Sequence, residues 1–362
     1  MYKERIYDIF IDKYRKKKGR FVVTVIYASE SFRKGRTTVM GIATLLIIWF
    51  HSALLVNPDS FMGRFKHIGD IGVDMFLFAS GAGVYFALKK HGKFWPYLRS
   101  RLFRVLPAYL MVAIPWFAYQ DIMLGGSRKL FLKDITMISF WLDGRMTFWY
   151  ISAILLLYIV TPAYMKLCRR FRNLDKISIC VLYGIVLLVP EAFLNHLVGP
   201  AMIFLPRIPI YLAGLSFGKA MEQGRVFRLK AIWLFVIIAS SSIPLAAAMG
   251  WLPWKLSYVV KYVAFGPLAV ILSMACSKIP ENRFTGYFGH RSLEIYLLLE
   301  KVQVTLGDHR EMEPFMEHGA IPFFVLAFGI TLVLTELLHV ATGLFRKRFF
   351  GVRRLDIPSK QQ

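Results

Sequence analysis

Cysteine is scarce and unpatterned. Cys168, Cys180 and Cys276 are the three in 362 residues. No CxxC spacing joins them, so neither a disulfide framework nor a thiolate metal site is expected, and no other metal set stands out. Acidic residues are also few: 22 Asp plus Glu face 46 Lys plus Arg, a formal charge of +24. There is no GxSxG elbow, no HExxH, no Walker loop and no GxGxxG in a strand–turn–helix setting, which removes the soluble-enzyme mechanisms those motifs carry. Internal repeats and low-complexity tracts are lacking as well.

What is abundant is apolar surface. The hydrophobic set makes up 56% of the chain and aromatics 15%, and the mean hydropathy is +0.50. A helix needs roughly 20 apolar residues to cross a bilayer, and about ten such runs occur, at 38–56, 71–88, 105–124, 147–165, 177–194, 197–218, 231–250, 257–277, 288–306 and 320–345. The expected fold is an all-α polytopic membrane bundle. A basic arm (1–37) precedes a membrane domain (38–345), and a basic tail (346–362) follows it. The arm is too charged, and its apolar "FVVTVIY" too short, to be a cleaved signal peptide.

The loops sort by charge. The N-terminal arm carries eleven basic residues, and the second, fourth, sixth and eighth connections, "KKHGKFWPYLRSR", "KLCRRFRNLDK", "KAMEQGRVFRLK" and "KIPENRF", are basic too, as is the tail "RKRFFGVRRL". Lysine and arginine in short loops stay cytoplasmic, so the alternation predicts that both termini are inside. The excess charge then meets anionic membrane lipids, at about 1 kcal/mol per residue, and no nucleic acid is needed to explain it. The segment 125–146, with "ITMISFWLDG", is expected to lie in the interface or to re-enter.

Ionisable groups at membrane depth cost a few kcal/mol unless they face protein or water, so each is a functional candidate. His51, in "MGIATLLIIWFHSALLV", leads. It is either a histidine bonded to a neighbouring helix or a general base, since an imidazole takes a hydroxyl proton near neutral pH. It lies about 16 Å along a helix from Met40, which predicts a position near mid-bilayer. Asp70 and Asp74 share a helical face at i and i+4. Asp70 is expected in water, while Asp74 wants a partner. Ser80, Gly81 and Gly83 permit either close helix packing or ligand access. Arg99, Arg101 and Arg104 either anchor the cytoplasmic face or hold phosphate; Arg104 is expected to point inward. Trp149 and Tyr150 read as an aromatic belt or as substrate contacts. Arg207, between Pro206 and Pro209, marks a broken helix beside a polar site. Glu294, Tyr296 and Glu300 crowd the ninth span, and Glu336 with His339, at i and i+3, reads as a self-contained pair.

In this order, "IIWFHSAL", "IGVDMFLFASGAGVYF", "RSRLFRVLPAY", "FWYISAILLLYIVTP", "RIPIYLAGLSFGK" and "FGHRSLEIYLL" resemble the membrane-bound acyltransferase 3 family over roughly residues 35–345. The resemblance implies a ten-helix membrane O-acyltransferase that moves an acyl group, often acetyl from acetyl-CoA or another acyl-CoA, onto a hydroxyl of a cell-surface carbohydrate or glycan. The place implied is the bacterial inner membrane. His51 matches the histidine proposed to act in catalysis there, with Asp74 beside it as a candidate. Arg99, Arg101 and Arg104 match the basic motif that would hold the donor. Ser80, Trp149, Tyr150, Arg207, Tyr296 and Glu300 are the substrate-side candidates. Two positions depart from the family pattern: Met40 stands where an arginine is common, and Leu299, followed by Glu300, stands where a histidine is common. The competing expectation is a glycan or lipid-intermediate exporter that uses the same polar residues as a path.

Overall fold

The computed structural model describes residues 24–28, 30–53, 61–188, 203–248, 254–307 and 320–350. Most of the basic arm, parts of the predicted spans 38–56, 177–194, 197–218 and 231–250, residues 308–319 and the end of the tail lie outside the described residues. Helix dominates, and the helices fall close to the predicted spans. Among the described residues, four helices are long and apolar enough to cross a membrane: Ile71–His91, Phe94–Leu124, Trp149–Arg170 and Pro322–Phe349. By family and composition this is a membrane protein.

The chain divides into two compact units, Met1–Lys90 with Pro162–His290, and His91–Thr161 with Arg291–Gln362. In the first unit, helix α1 (Glu30–Ala53) is followed by a short turn α2 (Phe61–Arg64), a 3-10 turn Lys66–Ile68 and α3 (Ile71–His91). The latter half of α7 (Trp149–Arg170), then α8 (Leu174–Leu188) and α9 (Ile208–Glu222) with its leading 3-10 turn Leu205–Arg207, belong here too. So do α10 (Ala231–Ala248), α11 (Trp254–Cys276) and α12 (Arg283–His290).

An all-α reading misses one element. Strand β1 (Thr24–Ala28) pairs antiparallel with β2 (Val226–Lys230), with Thr24 opposite Lys230 and Ala28 opposite Val226. The apolar piece of the basic arm, too short for a span, is long enough for a strand because a strand rises more than twice as far per residue as a helix.

Glycines set the spacing of this unit. A methyl on Gly81 of α3 would strike the Tyr211 carbonyl of α9, and one on Gly214 would strike the Phe78 carbonyl. The two helices therefore meet backbone to backbone, so Gly81 serves packing. Phe32, Phe78 and Phe217 lock α1, α3 and α9 together, with ring centroids 5.1–5.5 Å apart. The two pairs that Phe32 makes are edge-to-face, a geometry that adds to the burial they share.

In the second unit, α4 (Phe94–Phe117) starts well before the predicted 105, so the arginine motif lies on the helix itself. Pro96 sits in its first turn, where a missing N–H costs nothing. Pro107 and Pro115 lie inside α4 and each removes a ladder bond. Beyond Pro115 the chain widens into a π-helical turn, Ala118–Leu124, closed by Gly125 N–H donating to the Gln120 carbonyl at 3.0 Å. The segment 125–146 holds two short helices, α5 (Arg128–Ile135) and α6 (Ile138–Leu142). The first half of α7, α13 (Ser292–Gly307) and α14 (Ala320–Phe350) complete the unit. The predicted ninth span is thus broken between His290 and Ser292.

Candidate functional site

The polar end of the first unit is organised by one arginine. Arg207 is 2% exposed and Asp74 is 2% exposed. The Nε of Arg207 donates to Asp74 Oδ1 at 3.1 Å, its Nη1 donates to the Ile203 carbonyl at 2.9 Å, and its Nη2 lies 3.6 Å from Asp70 Oδ1. Asp70, expected in water, is therefore a second anionic neighbour. The proline bracket explains the geometry: Pro206 lies within the 3-10 turn and Pro209 in the first turn of α9, so Arg207 emerges where the helical ladder is interrupted. Burying the cation is tolerable because a carboxylate and a carbonyl accept its hydrogen bonds.

His51 sits in the last turn of α1. It is half-buried, and α1 is described as far as Ala53. Two contacts bring the start of α3 beside this end. The Trp49 Nε1 donates to the Phe65 carbonyl at 3.3 Å, and a methyl on Gly69 would lie 2.6 Å from Phe50 Cβ. Gly69 precedes Asp70 and Phe50 precedes His51. The C-terminal end of α1, the start of α3 and the start of α9 thus place His51, Asp70, Asp74 and Arg207 at one end of the unit. Ser80 is half-buried further along α3.

The second unit carries two polar ends. At the start of α4, Arg99 and Arg104 are exposed and Arg101 is half-buried, with its Nε shielded from solvent and lacking an acceptor. The inward expectation for Arg104 is therefore corrected to Arg101. The reason is helical phase, since Arg101 follows Tyr97, whose hydroxyl donates to the Tyr158 carbonyl of α7 at 3.2 Å. Arg346 of α14 joins this end: its Nη2 donates to the Arg104 carbonyl at 2.9 Å, and its Nε is also buried without an acceptor. Orphaned guanidinium donors are what an anion would satisfy.

Also here, the expected Glu336–His339 pair is exchanged across helices. Arg291 donates to Glu336 at 2.9 Å, and His339 Nδ1 lies 3.0 Å from Glu294 Oε1. α13 and α14 pack side by side, so partners on a facing helix outcompete a neighbour on the same one.

At the other end, Tyr150 N–H donates to the Tyr296 hydroxyl at 3.2 Å, and the two rings meet at 5.6 Å. Trp149 is half-buried beside Tyr150. Glu300 is exposed and pairs with Lys301 at 3.1 Å. Lys301, 6% exposed, lies 5.2 Å from the Trp116 ring centroid and 5.1 Å from that of Phe148. Sequence reading passed over Lys301, although a lysine inside a predicted span is itself a signal. Phe148 sits at φ 55, a strained value for an aromatic residue and one often stored at functional sites. Among the described residues no group of three or more His, Cys, Asp or Glu is placed to hold a metal.

These features lie inside a region with a known pattern. A family model described as an acyltransferase domain matches residues 40–340. The chain belongs to the acyltransferase 3 family. The match begins at Met40 on α1 and ends one residue past His339, so it takes in His51, the Asp74–Arg207 pair, the α4 arginines and the α13–α14 charge exchange. No curated protein and no solved structure matches the chain. As a member of this family the protein is a membrane acyltransferase in general terms.

Proposed function

We propose that this acyltransferase moves an acyl group, in the simplest case acetyl, from acyl-coenzyme A to a hydroxyl of a cell-surface carbohydrate or glycan. The setting is the bacterial inner membrane, with ten spans and both termini cytoplasmic. His51 is the general base. It takes the acceptor's O–H proton as the oxygen attacks the thioester carbonyl. The carbon–sulfur bond then breaks, and the coenzyme thiolate takes the proton back from the imidazolium. No acyl-enzyme is needed. Arg207 and Asp74, anchored in each other, form the rigid floor beside the imidazole. Arg101 and Arg104, with Arg99 at the rim, hold the donor phosphates, and Tyr150, Tyr296 and Trp149 offer faces for a sugar, with Glu300 at their margin and Ser80 on α3.

The observation that carries this reading is the placement of His51 in the final turn of α1, at the end of the unit that also holds the buried Asp74–Arg207 pair, inside the family match. Topology supports it. β1, from the N-terminal arm, pairs with β2 in the sixth connection, and segments that pair must share a side of the membrane. Arg346, near the tail, reaches the start of the third span by the same parity. In this topology the end of α1 that bears His51 faces away from the cytoplasm, where a surface acceptor would arrive.

The test uses purified protein in lipid nanodiscs with labelled acetyl-coenzyme A and isolated envelope glycans. Wild type transfers label, His51→Gln loses at least 100-fold in rate, as removal of a general base does, and its donor affinity is retained. Unchanged turnover in His51→Gln would overturn the base assignment. Glycan movement across the bilayer without donor consumption would favour export over transfer.

A further inference from the structure

The segment between the π-turn and α7 is held by a charge cluster that acyl transfer does not use. Arg145 Nη1 lies 3.1 Å from Asp121 Oδ1 and 2.8 Å from Asp134 Oδ2. The two carboxylates are 1% and 2% exposed, and Asp121 Oδ2 and both oxygens of Asp134 are buried without a hydrogen-bond donor, so Arg145 holds Asp134 as an ion pair. One guanidinium thus serves two buried carboxyls. A proton on either carboxyl converts an orphaned acceptor into a donor and removes the excess negative charge.

The segment around the cluster is fixed by further contacts. Ser127 caps α5 by accepting from Leu130 N–H at 3.2 Å, and Arg145 N–H donates to the Ser139 carbonyl at 3.2 Å. Gly126 (φ 64) and Gly144 (φ 76) bracket the segment in the left-handed region that glycine adopts freely. From α4, the Tyr109 hydroxyl reaches the carbonyls of Asp134 and Ile135 at 3.2 and 3.1 Å. Of the other charged groups on this segment, Arg128 and Lys129 are exposed at the start of α5. Lys133 is paired with Asp143 at 2.8 Å, and Lys301 is engaged over the Phe148 ring. Outward, Leu132, Trp141 and Leu142 are exposed, so Arg145 and its carboxylates are the inner fastening. Three residues after Arg145 comes the strained Phe148, and two further on comes Tyr150.

We propose that Asp121, Asp134 and Arg145 form a proton-operated clamp that holds the α5–α6 flap shut and so positions Phe148 to Tyr150 at the head of α7. These are positioning residues, and their consequence for an acceptor rests on the function proposed above. The clamp itself does not. Burial, aided by the Asp121 charge and opposed by Ser139 and Arg145, pushes the Asp134 carboxyl from 3.8 up to about 6. The closed form therefore holds the proton more tightly than the open form. Protonation stabilises closure, and that contribution is lost as pH rises from about 4 to about 6 and stays lost above it.

Hydrogen exchange read by mass spectrometry tests this on the full chain in nanodiscs without substrate, with times scaled for the intrinsic pH dependence of exchange. Between pH 5 and 7.5, opening of peptides covering 125–148 should increase about tenfold in wild type, the linkage expected for that displacement. Asp134→Asn should show no such slope and should stay at the protected, low-pH level. Asp121→Asn, which also removes the like charge, should flatten the slope if Asp134→Asn does not fold. Peptides from α3 should show no pH effect. A flat wild-type profile, or an equal slope in both carboxamide variants, would overturn the clamp. Because no donor or acceptor is present, its failure is separate from any failure of the transfer assay.

Discussion

A guanidinium and a carboxylate that are each 2% exposed cannot be separated cheaply. Removing one partner leaves the other charged and dry, which typically costs 3–5 kcal/mol, while replacing both with apolar groups of similar size is far milder. Asp74→Asn or Arg207→Met should therefore lower the thermal midpoint sharply, and Asp74→Leu with Arg207→Met should recover most of the loss, read by a thermal unfolding assay in detergent. Recovery of fold without recovery of transfer would assign the pair to the floor beside His51; equal loss in single and double variants would deny the coupling. At the arginine end, Arg101 and Arg346 each bury an Nε that lacks an acceptor. Arg101→Gln and Arg346→Gln should each weaken donor binding by about tenfold, the scale of one lost charge-assisted hydrogen bond. Titration of coenzyme A into nanodiscs at two salt concentrations measures this, with a shallower salt dependence expected in both variants. Arg36, one helical turn before Met40 and on the same face of α1, points its Nη2 toward Gly83. A cation is thus present near the departure at Met40, one turn out of register.

Elements were legible where apolar runs were long. The helices at 71–91, 149–170 and 231–248 fall within a few residues of expectation, because a lipid solvent admits only helices or closed barrels and hydropathy marks them directly. Where polar residues join a helix, its start was hidden: α1 and α4 begin eight and eleven residues early, at Glu30 and Phe94 against 38 and 105. Helix hydrogen bonding does not stop at the membrane surface, so composition marks the bilayer and not the helix end. Close approach of elements was half legible, since small residues at 80–83 signalled packing or access without deciding between them. Gly81→Leu should disrupt the α3–α9 contact and lower stability by several kcal/mol, the cost of overpacking against rigid backbone. Gly83→Ala, whose new methyl would meet Arg36 at an ordinary 3.8 Å, should be nearly neutral. Thermal unfolding of the two variants side by side checks the contrast.

At the scale of the whole molecule, the proposed topology makes a labelling prediction. A single cysteine placed at Lys93 should react only with reagents that cross the inner membrane, and one at Arg128 should react with impermeant maleimide in intact cells, in a background where the three native cysteines are serine. The reverse pattern would invert the bundle. The amino-acid sequence by itself determined that the chain belongs in a membrane, where its apolar runs lie, which loops are basic and which ordered motifs place it among acyltransferases. These are properties of local composition, readable without any partner. Only the tertiary structure decided that Arg207 pairs with Asp74, that Glu336 pairs with Arg291 and His339 with Glu294, that Arg101 turns inward in place of Arg104, and that one arginine fastens two buried carboxyls. Those outcomes depend on which faces of distant helices meet, and a buried charge takes the partner that packing delivers, whatever its distance along the chain.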